Sequence, residues 1–194
     1  MNEHHQPSQH TEREQQPGLQ PRIWVGSLAD YNAGHLHGDW IDAAVTDEEL
    51  HDAVQHILAT SDEPDAEEYG IFDYDEFGAF QVGEYVQLDV VARVARGIAE
   101  HGQAFAAYAQ LHDADADMLN TFTDSYSGEY DSPEDWAHEV LHDGLNTELD
   151  HVVPEALRGY VSIDYAGFAR DAELSGDVHF EPAPDGRVFV FTIP

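Results

Sequence analysis

His138-Glu139-Val140-Leu141-His142 has the spacing of the zincin H-E-x-x-H pattern. On a helix that spacing puts two imidazoles one turn apart on one face, with the Glu poised as general base for a zinc-bound water. The residues beyond it fit the chemistry poorly. Gly144 comes one place early for a metzincin, Leu145 stands in the Gly position and Glu148 where a third His belongs, leaving Glu148, His151 or Asp164 as substitute third ligands. A chain with 13 His and 18 Glu in 194 positions yields the pattern ~0.08 times by chance, so a solvated helix face competes with a zinc site and is the reading adopted. Asp113-x-Asp115-x-Asp117 resembles the start of a calcium loop with Asp124 at its twelfth position, but Met118 occupies the sixth, where the sharp turn needs Gly. Polar residues around a helix N-terminus explain it as well. His35 and His37 sit in a Gly-bounded loop without further ligands and are expected to bond backbone, and His4, His5 and His10 form a nonspecific chelating tail. With no Cys there is neither thiol nucleophile nor thiolate metal site, and no G-x-S-x-G, Walker or dinucleotide fingerprint occurs. The expectation is a non-enzyme with no catalytic, cofactor-binding or metal residues.

The elements that must position these residues follow from hydrophobic periodicity and caps. Ile23 to Leu28 reads as a strand, Asp30 to Gly38 as a long loop, and Asp39 to Ala43 as a second strand. Thr46-Asp47-Glu48-Glu49 is a capping box, with Leu50, Ala53, Val54, Ile57 and Leu58 behind it at helical spacing. An acidic loop at 61–68 leads to a strand at Tyr69 to Tyr74. A helical stripe from Leu88 to Ala99 ends near His101-Gly102, and helices follow at 104–111 and 116–122. Ser132, Pro133 and Asp135 start a helix through His142, Asp164 caps one over 165–174, and Val178 to Glu181 with Arg187 to Ile193 form a hairpin around Pro182 to Gly186. The sum is α+β, an elongated chain of three small domains behind a disordered polar tail at 1–20. These are a sheet-plus-helix unit at 21–82, a helical unit at 83–127, and a unit of helices plus hairpin at 128–194.

Charge is the unusual quantity. Forty Asp and Glu face seven Arg and no Lys, a formal net charge of -33. Residues 1–22 carry -1, 23–82 carry -15, 83–127 carry -5 and 128–194 carry -12, so the acid is spread over the folded body and describes a structured negative surface. A basic-surface binder of nucleic acid or of anionic membrane is excluded. Self-repulsion on this scale calls for a basic partner, bound cations or a salty milieu. The first twenty residues lack an apolar h-region and no stretch reaches a membrane span, which leads to the expectation of a soluble cytoplasmic protein. Duplex DNA carries one charge per ~1.7 Å of axis, so -32 on residues 23–194 matches about 54 Å, or about 16 base pairs.

Three stretches carry a resemblance: Pro21-Arg-Ile-Trp-Val-Gly-Ser-Leu-Ala-Asp-Tyr-Asn-Ala-Gly34 with Leu36-His-Gly38 and Trp40-Ile-Asp42, Tyr126-Ser-Gly-Glu-Tyr-Asp-Ser132, and Ile163 to Asp177. From about Pro21 to Phe191 the chain resembles the ArdA antirestriction proteins, DNA mimics that inhibit type I restriction-modification enzymes. The resemblance implies a curved homodimer joined through the C-terminal domain and docked on the methyltransferase core. It also implies an antirestriction motif over 126–141, carried by Tyr126, Gly128, Glu129, Tyr130, Asp131, Glu134, Asp135 and Trp136, which places the H-E-x-x-H match in ordinary helix. The expected acidic contact surface is Asp47, Glu48, Asp52, Asp73, Asp75, Glu76, Glu84, Asp113, Asp115 and Asp117. Two other readings of the composition stand beside this one: a zinc metallopeptidase through His138-Glu139-x-x-His142, and an acidic binding domain from a halophile.

Overall fold

The computed structural model describes residues 18–193, with the side chains of 142–151 excepted. Its first half is an antiparallel sheet of order β2-β1-β3, formed by β1 (Arg22–Ser27), β2 (Gly38–Asp42) and β3 (Tyr69–Asp75). Ile23 and Val25 alternate onto the core face of β1 and are fully buried. Between Ile71 and Asp73 the register with β1 slips by one residue at Phe72. This bulge keeps Ile71 and Tyr74 on the core side while turning Asp73 and Asp75 outward opposite Trp24 and Arg22.

The 30–38 segment, expected to be loop throughout, opens with a short helix, α1 (Leu28–Ala33). Ser27 caps it by accepting from the Asp30 N–H, and Gly34 closes it at φ +86°, a left-handed conformation that costs glycine little. The cap residues were legible, but the turn-rich composition masked the single helical turn between them. Helix α2 (Asp47–Ala59) begins at Thr46 with both reciprocal bonds of the capping box in place, and buries Leu50, Val54, Ile57 and Leu58 against the sheet.

Helices α3 (Leu88–His101) and α4 (Gln103–Leu111) hinge at Gly102. Every residue from Ala104 to Ala109 is buried, so α4 runs through the interior. The expected helix over 116–122 is two single turns, α5 (Ala116–Leu119) and α6 (Phe122–Ser125), because the Thr121 hydroxyl and N–H both bond the Met118 carbonyl and end the first turn.

Strand β4 (Tyr126–Tyr130) was not anticipated. Gly128, at φ +136°, sits at an irregularity in its ladder and gives the stretch the look of a turn. It joins the hairpin β5 (Val178–Pro182) and β6 (Val188–Thr192) in a second antiparallel sheet of order β4-β6-β5. The helix expected to end at His142 is α7 (Pro133–Val152), which continues through Gly144. A single glycine costs a helix only about 1 kcal/mol, and Pro154 lies just beyond the end. A single turn, α8 (Glu155–Arg158), precedes α9 (Tyr165–Ser175), which is capped by Asp164 as expected and closed by Gly176 at φ +82°.

Central strand β6 is apolar on both faces. Phe189 and Phe191 enter the large cluster of buried side chains that runs from Ile23 to Phe122, and Val190 enters a smaller one with Trp136, Ala137, Ala169 and Val178. The buried clusters therefore do not divide at residues 82/83. A ring cluster of Tyr108, Phe122, Tyr126 and Phe191, with centroids 5.0–6.3 Å apart, ties α4 and α6 to the second sheet. Among the described residues no helix is long and apolar enough to cross a membrane.

Candidate partner-binding surface

The ten acidic residues are exposed, or partly so for Asp47, and stand in several local settings. On α2, Glu48 and Asp52 are exposed one turn apart, while Asp47 is bridged to Arg96 at 2.9 Å. On the outward side of β3, Asp75 takes the Arg22 guanidinium at 2.8 Å and Asp73 is exposed, its carboxylate accepting from the Tyr74 N–H. Glu76 accepts the Gln20 N–H. Exposed Glu84 raises the neighbouring Tyr85 hydroxyl above its ordinary range by accepting its hydrogen bond and by its charge. At the start of α5, Asp115 accepts from the N–H groups of Asp117 and Met118, both at 3.0 Å. The calcium-loop resemblance is thus a helix cap, with Asp113 and Asp117 exposed on either side.

The stretch Tyr126 to Trp136 is a strand, a turn and a helix start. Tyr126 stacks on Phe122 at 5.2 Å, and Trp136 is 5% exposed against Phe168 and Phe180. Glu129 meets Arg187 at 2.7 Å across the β4–β6 ladder, and Asp185 holds the same guanidinium at 2.6 Å. This pairing lowers the Asp185 carboxyl and raises Arg187. Ser132 and Asp135 exchange bonds at the α7 N-terminus. Tyr130, half-buried, has its hydroxyl pushed up by burial and by the Glu139 carboxylate. Asp131, Glu134 and Asp135 are the exposed carboxylates of this stretch, Asp135 being also bonded to Ser132.

His138 and Glu139 are exposed on α7, with the His138 ring 4.9 Å from that of Tyr165. The side chains of His142, Glu148 and His151 lie outside the described residues; among those described, no three His, Asp or Glu converge to hold a metal ion. His37 bonds the Ile57 carbonyl at 2.8 Å, as expected, whereas the His35 ring meets the Glu63 carboxylate at 3.3 Å and not backbone. Asp30 carries a buried carboxylate that no local sequence signal marks. It is 3% exposed, its carboxylate bonded by the Ser61 hydroxyl, which with Ser27 holds its pKa below the ordinary value. Only a contact across 31 positions reveals it.

Among the described residues Arg22, Arg96 and Arg187 are engaged by carboxylates, so these guanidiniums neutralise their surroundings locally. The result is a folded body whose exposed charge is overwhelmingly negative and whose acids come from both sheets and the helices between them. No curated protein matches the chain. The family model described as antirestriction protein (ArdA) matches residues 23–183, from the start of the first sheet to the hairpin turn before β6. That match takes in both buried clusters apart from β6, and with it the chain belongs to the ArdA family of antirestriction proteins, a family of inhibitors and not of enzymes.

Proposed function

We propose that this protein inhibits type I restriction-modification enzymes by imitating DNA, occupying the DNA-binding cleft of the methyltransferase core and excluding the duplex. The observation that carries the reading is the placement of charge: -32 on residues 23–194, spread over every part of the fold. One chain offers the phosphate charge of about 16 base pairs, and two offer that of about 32, enough to span a bipartite recognition site and its flanks. Carboxylates on helices and turns supply the charge without base edges, so the mimic would be bound through the contacts that position DNA and not through those that read it.

The expected organisation is three units in series, 21–82, 83–127 and 128–194, dimerised through the last. Support for the dimer is the apolar surface of that unit: Val152, Tyr160 and Leu174 are 74%, 88% and 78% exposed, with Leu157, Val161 and Phe168 also open to solvent. Large apolar side chains left in solvent favour burial against a partner. Affinity capture on a type I methyltransferase core tests the function. Duplex DNA should displace the captured protein competitively; retention in saturating DNA places binding outside the cleft and refutes mimicry.

A further inference from the structure

The outward face of the first sheet is built in three cross-strand rows over β2, β1 and β3: Gly38, Gly26 and Gly70; Trp40, Trp24 and Asp73; Asp42, Arg22 and Asp75. The glycine row is a floor for rings. A Cβ on Gly26 or on Gly38 would stand 2.7 Å from the Trp24 indole, and one on Gly70 3.2 Å from the Phe72 ring. Trp24 and Phe72 therefore lie over the sheet, packed edge to face at 5.7 Å, with Tyr31 tilted on Phe72 at 5.1 Å. None of Trp24, Tyr31, Trp40 or Phe72 belongs to either buried cluster, and Tyr31 and Trp40 are 58% and 38% exposed. Acid borders the rings: Asp39, Asp42, Asp73 and Asp75 are all exposed.

Rings of this kind attract a cation through their negative faces, and carboxylates beside them supply hydrogen-bond acceptors for a planar guanidinium. The face already holds one. Arg22 lies with its guanidinium carbon 4.9 Å from the Trp40 ring centre while donating to Asp75 from Nε at 3.2 Å and from a terminal nitrogen at 2.8 Å. Even with Arg22 counted, the four acids leave the face at a formal -3.

We propose that this face docks arginine side chains of the inhibited enzyme, a partner's guanidinium lying on the exposed ring of Trp40 or Tyr31 with Asp42 or Asp73 accepting its N–H groups. The proposal rests on the DNA-mimic reading for the identity of the partner. It adds an anchor selective for arginine over lysine to an interface otherwise made of diffuse charge. An ammonium keeps its hydration more tightly and cannot lie flat on an indole, so lysine gains the charge attraction and little else.

The test uses the full chain, titrated at fixed ionic strength with an arginine octapeptide and, separately, a lysine octapeptide, and read by tryptophan fluorescence. Trp136 is buried in the second cluster, so the signal reports Trp24 and Trp40. The arginine peptide should bind about tenfold more tightly. In Tyr31→Ala/Trp40→Ala, which removes only exposed rings, its affinity should fall to that of the lysine peptide while the lysine affinity holds. Trp40→Phe, which keeps a ring and guards against a folding artefact, should retain most of the preference. Equal affinities in the wild-type chain, or a preference that survives the double variant, overturns the proposal. DNA mimicry itself fails separately, if duplex DNA does not compete for the methyltransferase core, whatever the peptides do.

Discussion

Glu129, Asp135 and Trp136 look in sequence like members of one recognition motif, yet each is committed to a partner inside the fold: Arg187, Ser132, and the Phe168 and Phe180 rings. Trp136→Ala should therefore cost about 3–5 kcal/mol of stability, read from urea unfolding. Asp131→Asn or Glu134→Gln, which change exposed carboxylates, should leave both stability and inhibition nearly as they were, because binding is shared among many screened pairs. Complete loss of inhibition in either folded single variant would reveal a discrete site and contradict diffuse mimicry. Asp30 gives a pH signature. Its carboxyl is held below its ordinary value of 3.8, so the stabilisation it contributes is present above that value and is lost as pH falls through the folded-state pKa. Ser61→Ala should lower the urea midpoint at neutral pH, and the gap to wild type should close under acid conditions; a gap that widens in acid would mean the hydroxyl bonds the protonated form. The acids themselves were legible in the sequence as a class. Their individual duties were not, since Arg187 lies 58 positions from Glu129 and Ser61 lies 31 from Asp30.

Elements with local stop and start signals are legible in the sequence. The Thr46 capping box, the Asp164 and Gly176 caps of α9, and the hairpin at Pro182–Gly186 are each specified by residues within a few positions of one another. Thr46→Ala should cost about 1 kcal/mol, measured by thermal or urea unfolding; an unchanged midpoint would show that tertiary packing alone holds α2. Strand β4 escaped because it exists through its pairing with β6, more than fifty residues away, and its own sequence contains a glycine and few apolar residues. The long α7 escaped because Gly144 suggests a stop that the helix overrides. The H-E-x-x-H match lies within this helix, where Glu139 faces the Tyr130 hydroxyl and His138 the Tyr165 ring. Glu139→Gln should keep full antirestriction activity and His138→Ala should shift stability by no more than about 0.5 kcal/mol. One zinc held tightly per chain after removal of residues 1–17, and lost together with inhibition in His142→Ala, would favour a metalloenzyme instead.

At the scale of the whole molecule, composition alone specified the negative surface, while the sharing of a core between the first sheet, the helices and β6 required the three-dimensional structure. A net charge of -33 acts with opposite signs on folding and on binding. Added salt screens self-repulsion within the chain, so thermal stability should rise from low to moderate ionic strength; the same screening weakens attraction to a basic cleft. An acidic protein adapted only to salt shares the first behaviour and lacks the second. The central claim is therefore tested most directly by the dissociation constant for a type I methyltransferase core, measured across a salt series alongside that of the enzyme's own duplex DNA. Both affinities should fall together and steeply, by on the order of 10³ between about 50 and 200 mM salt. A protein affinity that stays within about threefold over that range while the DNA affinity collapses as phosphate contacts require would contradict electrostatic imitation of DNA.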